Sequence, residues 1–389
     1  MLTPESRQLF SFDPNTVYID HGGYGVAPKE VQVFRAEMQE KLEAAPRPFF
    51  DIECRSEWMT TKAMVAHRFS ARAEDIALID NVTDGINAIL RSLTLQPDDE
   101  ILITSMTYGA IALAARHIAR ETGAHVVEAH IPFPAPSHTQ CLQSIAAALS
   151  PRTKLAILDH ITSMTALVLP IVEMIQVCRD RGVAVLVDGA HAPGHVPLNL
   201  AALQADWYVA NLHKWYFVPR GCGFLWAHQD CQENLMPAVL SWGIDEPFPH
   251  SFWWTGTRDP SNWRSIETAF AFVDRFGEDR VRRHNHALVR EASRLLTKAW
   301  DVQNETPDNM IAGMTLVPLP ECASFPASQV GRAKIQKSLW DSHQIVCPCM
   351  LFENRLYIRV SAQIYNNMDD YQRLAHSINV MKRQPLTAT

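Results

Sequence analysis

The chain has 389 residues, 47% of them hydrophobic and 20% charged, and a formal net charge of −7. That length suits two domains or one large α/β domain with a smaller partner, and the interspersed acids and bases speak against a nucleic-acid or anionic-membrane partner. No apolar stretch approaches transmembrane length, the opening MLTPESRQLFSFDP lacks the basic start and apolar core of a signal peptide, and eight scattered cysteines without a CxxC pair fit reduced thiols and a cytoplasmic location.

From about residue 70 to 230 the pattern alternates strand and helix. Short apolar runs bounded by turn residues predict strands at 75–80, 101–105, 125–131, 154–160, 183–188, 207–212 and 223–227. Between them, helical periodicity covers 83–93, 108–123 and 170–182, the last opening on Pro170 and closing on a basic turn and Gly182. Alternating βα units imply a mainly parallel sheet covered by helices. The Pro-, Gly- and Trp-rich stretch 241–263 breaks the pattern and reads as an ordered functional loop. A long helical stretch follows over 264–303, then strand, helix, strand and a last helix near 368–382. The expected division is a large domain over 15–263 and a smaller α+β domain over 264–389, joined by the N-terminal segment 1–14.

The run Val183–Val187 ends on Asp188, followed by His191 and His195. Ligands of open α/β sheets sit beyond the carboxyl ends of the strands, so Asp188 stands where a functional carboxylate belongs. Three readings compete: a turn cap, a metal site made of Asp188, His191 and His195, or a carboxylate holding a protonated cofactor ring nitrogen. Thr83 and Asp84 open a helix whose free N–H groups suit a phosphate, although a plain N-cap reads the same way. Tyr108 could cover a flat ring or fill a half-buried core position. Lys214, between His213 and Trp215, suits an amine nucleophile, or a lysine with its head in water. An acid, a lysine and a helix N-terminus are together what pyridoxal phosphate (PLP) requires. The metal reading leaves Thr83, Tyr108 and Lys214 without a part.

The stretches YIDHGGYGVAP, NVTDGINAILRSL, DEILITSMTYGAI, LDHITSMTALVLPI, LVDGAHAPGH, ADWYVANLHKWYFVPRG, TGTRDPSNW and RLYIRVSAQIYN occur in this order over nearly the whole chain. They resemble the class V aminotransferase family and, within it, the isopenicillin N epimerase-like branch. The resemblance implies an α/β enzyme of the PLP-dependent transferase fold type I. Such an enzyme has a large domain with a mainly parallel seven-stranded sheet and a smaller α+β C-terminal domain, and it forms a homodimer with active sites at the interface. It implies Lys214 as the Schiff-base lysine, Asp188 against the pyridine nitrogen, and His191 and Ser163 near the phenolic oxygen. Tyr108 is expected to stack on the ring. Thr83, Asp84, Asn211 and His213 are expected to hold the phosphate, with Gly256 and Thr257 reaching in from the partner subunit and Arg258 helping at the interface. Arg359 is expected to bind the substrate α-carboxylate, which a guanidinium fork matches bidentately. His21, Gly22, Gly23 and Tyr24 are expected near the substrate, and His195 in the loop without chemistry.

The expected substrate is an amino acid, a small molecule deprotonated at Cα, whose side chain the sequence does not give. Epimerisation stands slightly ahead of β-elimination of a cysteine conjugate, with Tyr24, His21 or Cys347 considered as the second proton carrier. A desulfurase-like reaction through Cys347 or Cys349 and a natural-product tailoring reaction are further alternatives. Outside this class stand a metal hydrolase on Asp188, His191 and His195, and a catalytically dead PLP-fold binding protein. The Trp-rich loop with Trp242, Trp253, Trp254 and Trp263 suggests an apolar wall, or tryptophans that pack a dimer.

Overall fold

The computed structural model describes residues 4–383; residues 1–3 and 384–389 of the expected small domain, and the start of the segment read for a signal peptide, lie outside that range. In chain order the strands are β1 (Val17–Tyr18), β2 (Ile76–Ile79), β3 (Glu100–Thr104), β4 (His125–Ala129), β5 (Thr153–Asp159), β6 (Ala184–Asp188), β7 (Trp207–Asn211), β8 (Gly223–Ala227), β9 (Met314–Pro318), β10 (Ile345–Val346), β11 (Cys349–Phe352) and β12 (Arg355–Ser361). The chain forms two compact units. One comprises Val26–Ser163 and Leu169–Phe272; the other comprises the described residues of Met1–Gly25, Met164–Val168 and Val273–Thr389.

The first unit is built on a seven-stranded sheet of order β2-β8-β7-β6-β5-β3-β4. The pairs from β7 to β4 are parallel and β8 runs antiparallel to both its neighbours. Strands β2, β3, β6 and β7 are buried along nearly their whole length, which is why they read as continuous apolar runs rather than alternating ones. On one face, Leu155 and Ile157 of β5, Leu186 of β6 and Val209 of β7 join one core cluster with Ile86, Ile89 and Ile111 from the covering helices. The next residues of that face, two positions further along, are Asp159 and Asp188, paired in register. The sheet therefore carries its oily layer up to the carboxyl edge and there ends it with two acids side by side.

Gly189 follows Asp188, and a Cβ placed on it would lie 2.2–2.5 Å from the ring of Tyr208. That ring is fully buried and its hydroxyl is 2.8 Å from His160 Nδ1, so it has nowhere to swing. Gly189→Ala is expected to cost about 1–3 kcal/mol through overpacking. Urea unfolding of the variant checks this, and an unchanged midpoint would show that the turn relaxes freely.

The second unit has an antiparallel sheet of order β11-β12-β9 and a two-stranded parallel pair β1-β10. Its core gathers Val17 and Ile19, Leu296 and Trp300, Ile335 and Leu339, and Ile358 and Val360. The helical stretch expected over 264–303 is two helices, Ile266–Phe276 and Glu278–Trp300. Gly277 divides them with φ 77°, a left-handed conformation that glycine adopts without strain. No described helix is long and apolar enough to cross a membrane.

Candidate active site

In the first unit the sequence-predicted residues gather at the carboxyl edge of the sheet. Asp188 ends β6 at 4% exposure, and its Oδ1 accepts a hydrogen bond from Ala190 N–H at 2.9 Å. Burial raises its pKa above the usual carboxylate range, while the Ala190 N–H and the nearby Lys214 charge act the other way. Lys214 lies just beyond β7, half-buried, with Nζ 3.0 Å from His191 Nε2. On the far side of that imidazole, Trp215 Nε1–H donates to Nδ1 at 3.4 Å. An indole N–H only donates, so in the neutral His191 ring Nδ1 is the accepting nitrogen, and Nε2 is the ring atom that faces the lysine nitrogen.

The helix Val82–Ser92 begins beside the same edge. Asn81 caps it by accepting from Asp84 N–H at 3.1 Å, and Asn211 Oδ1 accepts from Val82 N–H at 3.0 Å. Asn211 thus ties the end of β7 to the helix start, and Thr83 stands exposed on the first turn. Asp84 is raised by burial and by the charge of Asp80, with Arg258 opposing; Arg258 itself is ion-paired with Asp80. Gly256, Arg258 and Asp84 line one cleft of about 250 Å³ together with Trp253, Trp254 and Trp263. Gly256 has φ 112°, Thr257 is exposed, and Trp242 stands outside the cleft at 88% exposure.

His213 Nδ1 is 3.1 Å from Cys222 O, and burial, with the Lys214 charge, brings its pKa down to about 4. The ring is neutral at neutral pH and donates to that carbonyl. Tyr108 is 44% exposed at the start of the helix Gly109–Thr122. Ser163 is half-buried beyond β5. His195 stacks on Trp215 with centroids 3.7 Å apart and lies 3.0 Å from His191 O through Nδ1. Among the described residues no group of three His, Cys, Asp or Glu is placed to hold a metal ion.

In the second unit Arg359, at mid-strand in β12, pairs with Asp20 through Nη2 and Oδ1 at 3.0 Å, with the two side chains 5% and 13% exposed. A Cβ on Gly23 would lie 2.5 Å from Asp20 Oδ2, so Gly23 leaves the room that this carboxylate occupies. His21 is fully buried with Nδ1 2.9 Å from the Tyr365 hydroxyl, and Tyr24 is 69% exposed. Cys347 and Cys349 are both buried. Burial and the Asp20 charge push the Cys347 thiol well up, and burial raises Cys349 to about 12. Neither thiol has the exposed, thiolate-favouring surroundings of a reactive cysteine.

Sequence reasoning passed over Asp20, Trp215 and Asp159. For Asp159 the signal was present, since LAILD ends an apolar run on an acid just as VLVD does.

The sequence model of the family described as Aminotransferase class-V matches residues 29–374. The chain belongs to this family. A probable chloroplastic L-cysteine desulfhydrase of Arabidopsis thaliana is 28% identical, over 97% of this chain and 85% of that protein. The isopenicillin N epimerase of Amycolatopsis lactamdurans is 30% identical, over 97% and 98%. Among solved structures, a mutant of C-DES with glycine covalently linked to its PLP cofactor superposes with a TM-score of 0.81 at 22% identity, over 96% of this chain and 98% of that one. The class-V chain is an α/β protein of PLP fold type I and a PLP-dependent enzyme. Its own residues fit that cofactor: a buried acid with a raised pKa, a lysine nitrogen against a tautomer-fixed imidazole, and an exposed helix N-terminus stand at one sheet edge.

Proposed function

We propose that the enzyme cleaves the Cβ–S bond of cysteine or an S-substituted cysteine, releasing hydrogen sulfide or a thiol, and that the unsaturated amino acid left behind takes up one water to give a 2-keto acid and ammonia. The observation that carries this reading is the placement of the proton carriers. Lys214 Nζ and His191 Nε2 are 3.0 Å apart, which suits a reaction that removes a proton and returns it from one side. Epimerisation needs a second carrier for the opposite face. Of the three residues considered for it, Cys347 is buried with its thiol pushed up and His21 is engaged with Tyr365; Tyr24 is exposed. On this ground we place β-elimination ahead of the epimerisation expected first from sequence. The same thiol environments disfavour a persulfide-carrying desulfurase.

PLP, when bound, supplies an electron sink that makes the substrate Cα–H acidic. Lys214 would be the anchoring amine, and its Nζ would take up the Cα proton with His191 holding it in line. The Asp188 carboxylate would hold a proton at the ring nitrogen, and Tyr108 would cover the ring. His191 and Ser163 serve the phenolic oxygen. Thr83, Asp84, Asn211 and His213 serve the phosphate, with Gly256 and Thr257 of a second subunit in a homodimer. Arg359 is the group suited to the α-carboxylate, with His21, Gly23 and Tyr24 toward the substrate.

Epimerisation is the second reading, favoured by the 30% identity to the Amycolatopsis epimerase over nearly both full chains. Incubation of the holoenzyme with amino acids and cysteine conjugates in deuterated water separates the two. Keto acid, ammonia and free thiol are expected. Intact amino acid with deuterium at an inverted Cα, abolished by Tyr24→Phe, would establish epimerisation instead.

A further inference from the structure

We infer that Asp159 bears a proton and forms with Asp188 a two-carboxyl pair of single negative charge. The two acids occupy directly paired positions of adjacent parallel strands, on one face of the sheet, at 2% and 4% exposure. Two buried carboxylates so placed do not both ionise without a compensating cation.

The groups facing the pair differ for its two members. Asp188 has Ala190 N–H and the Lys214 charge, with His191 against Lys214. Asp159 has the like charge of Asp188 beside it, with Thr107 and Tyr108 close by. Among the described residues its Oδ2 is buried without a hydrogen-bond partner. Burial and Asp188 together raise the Asp159 pKa well above the usual range. The neighbouring Tyr208 is raised by burial and by the Asp188 charge, and His160 is lowered to about 4 by burial, so both are neutral at neutral pH and neither supplies the missing cation.

A net charge of −1, rather than −2, matches a single ring N–H.

The test begins on the cofactor-free protein, so it stands or fails apart from any reaction. Infrared spectra at neutral pH are expected to show the carbonyl stretch of a protonated carboxyl in the wild type, lost in Asp159→Asn. In Asp188→Asn the band should persist and titrate at lower pH, because the like charge is gone. A wild type without the band overturns the proposal; so does a band that survives in Asp159→Asn and vanishes in Asp188→Asn.

Linkage gives a second readout. A carboxyl whose folded pKa lies above its unfolded value of about 3.9 binds its proton more tightly in the fold. Its contribution is then full at low pH and is lost as pH rises from about 4 toward the folded pKa. Asp159→Asn should flatten that slope and melt no lower than wild type at neutral pH, whereas an unchanged slope would overturn the proposal. Only the last arm rests on the PLP reading. The absorption of the bound cofactor should be unchanged in Asp159→Asn and shifted in Asp188→Asn; equal shifts in both would place the two acids in one role and overturn the assignment.

Discussion

Lys214→Ala is expected to lower turnover by at least about 10³-fold, since it removes the residue proposed as both anchoring amine and proton carrier. The loss should not come from unfolding. Lys214 is half-buried rather than a core residue, and its partner His191 keeps the indole contact from Trp215. Asp188, Tyr108 and the helix start at Thr83 remain to hold PLP without a covalent link. The variant should therefore bind the cofactor with the absorption of the free aldehyde and melt within a few degrees of wild type. Steady-state turnover with single-turnover absorbance measures this, and a variant that kept more than a tenth of the activity would remove Lys214 from the chemistry.

Arg359→Ala is the second large effect. The guanidinium and the Asp20 carboxylate are 5% and 13% exposed, so truncation leaves an uncompensated buried charge. Breaking such a pair costs about 3–5 kcal/mol. Asp20→Asn should cost less, because the amide still accepts from the guanidinium. The double variant Asp20→Asn/Arg359→Leu should regain part of the loss, since it removes both charges, and a double-mutant cycle by denaturant unfolding isolates the coupling. In variants that remain folded, KM for the amino acid should rise more than kcat falls. Arg359→Lys should not restore it, because an ammonium lacks the planar fork. An additive cycle, or an unchanged KM, would separate Arg359 from one or the other role.

Strands β2, β3, β6 and β7 of the larger sheet were legible because burial along nearly their whole length writes them as apolar runs. Asp188 was legible for a related reason, as the first charge after such a run. Asp159 obeys the same grammar but precedes His160, whose ring looks more like chemistry and in fact turns to Tyr208 across the sheet. The break at Gly277 was hidden because helical periodicity continues on both sides of it. Strands β1 and β10 are two residues each, too short for any period to show. The Asp20–Arg359 pair could not be read at all. Its partners lie at opposite ends of the chain, and nothing local to either residue names the other.

Unit membership also sets an order of assembly. Ser361 N–H reaches back to Ile19 O, and its hydroxyl accepts from Gly22 N–H across 339 residues. As the chain is synthesised, the residues that carry Asp188, His191 and Lys214 emerge together and find their sheet neighbours within one stretch of sequence. The segment around Asp20 waits for β10, with which β1 pairs, and for β12, the strand that brings Arg359. Contacts of such long separation form late, and N-terminal portions fold first during synthesis. A nascent chain halted before residue 355 would already hold the lysine and acid proposed to bind PLP, and would still lack the arginine proposed to grip a substrate. The half proposed to react is made first and the half proposed to discriminate last.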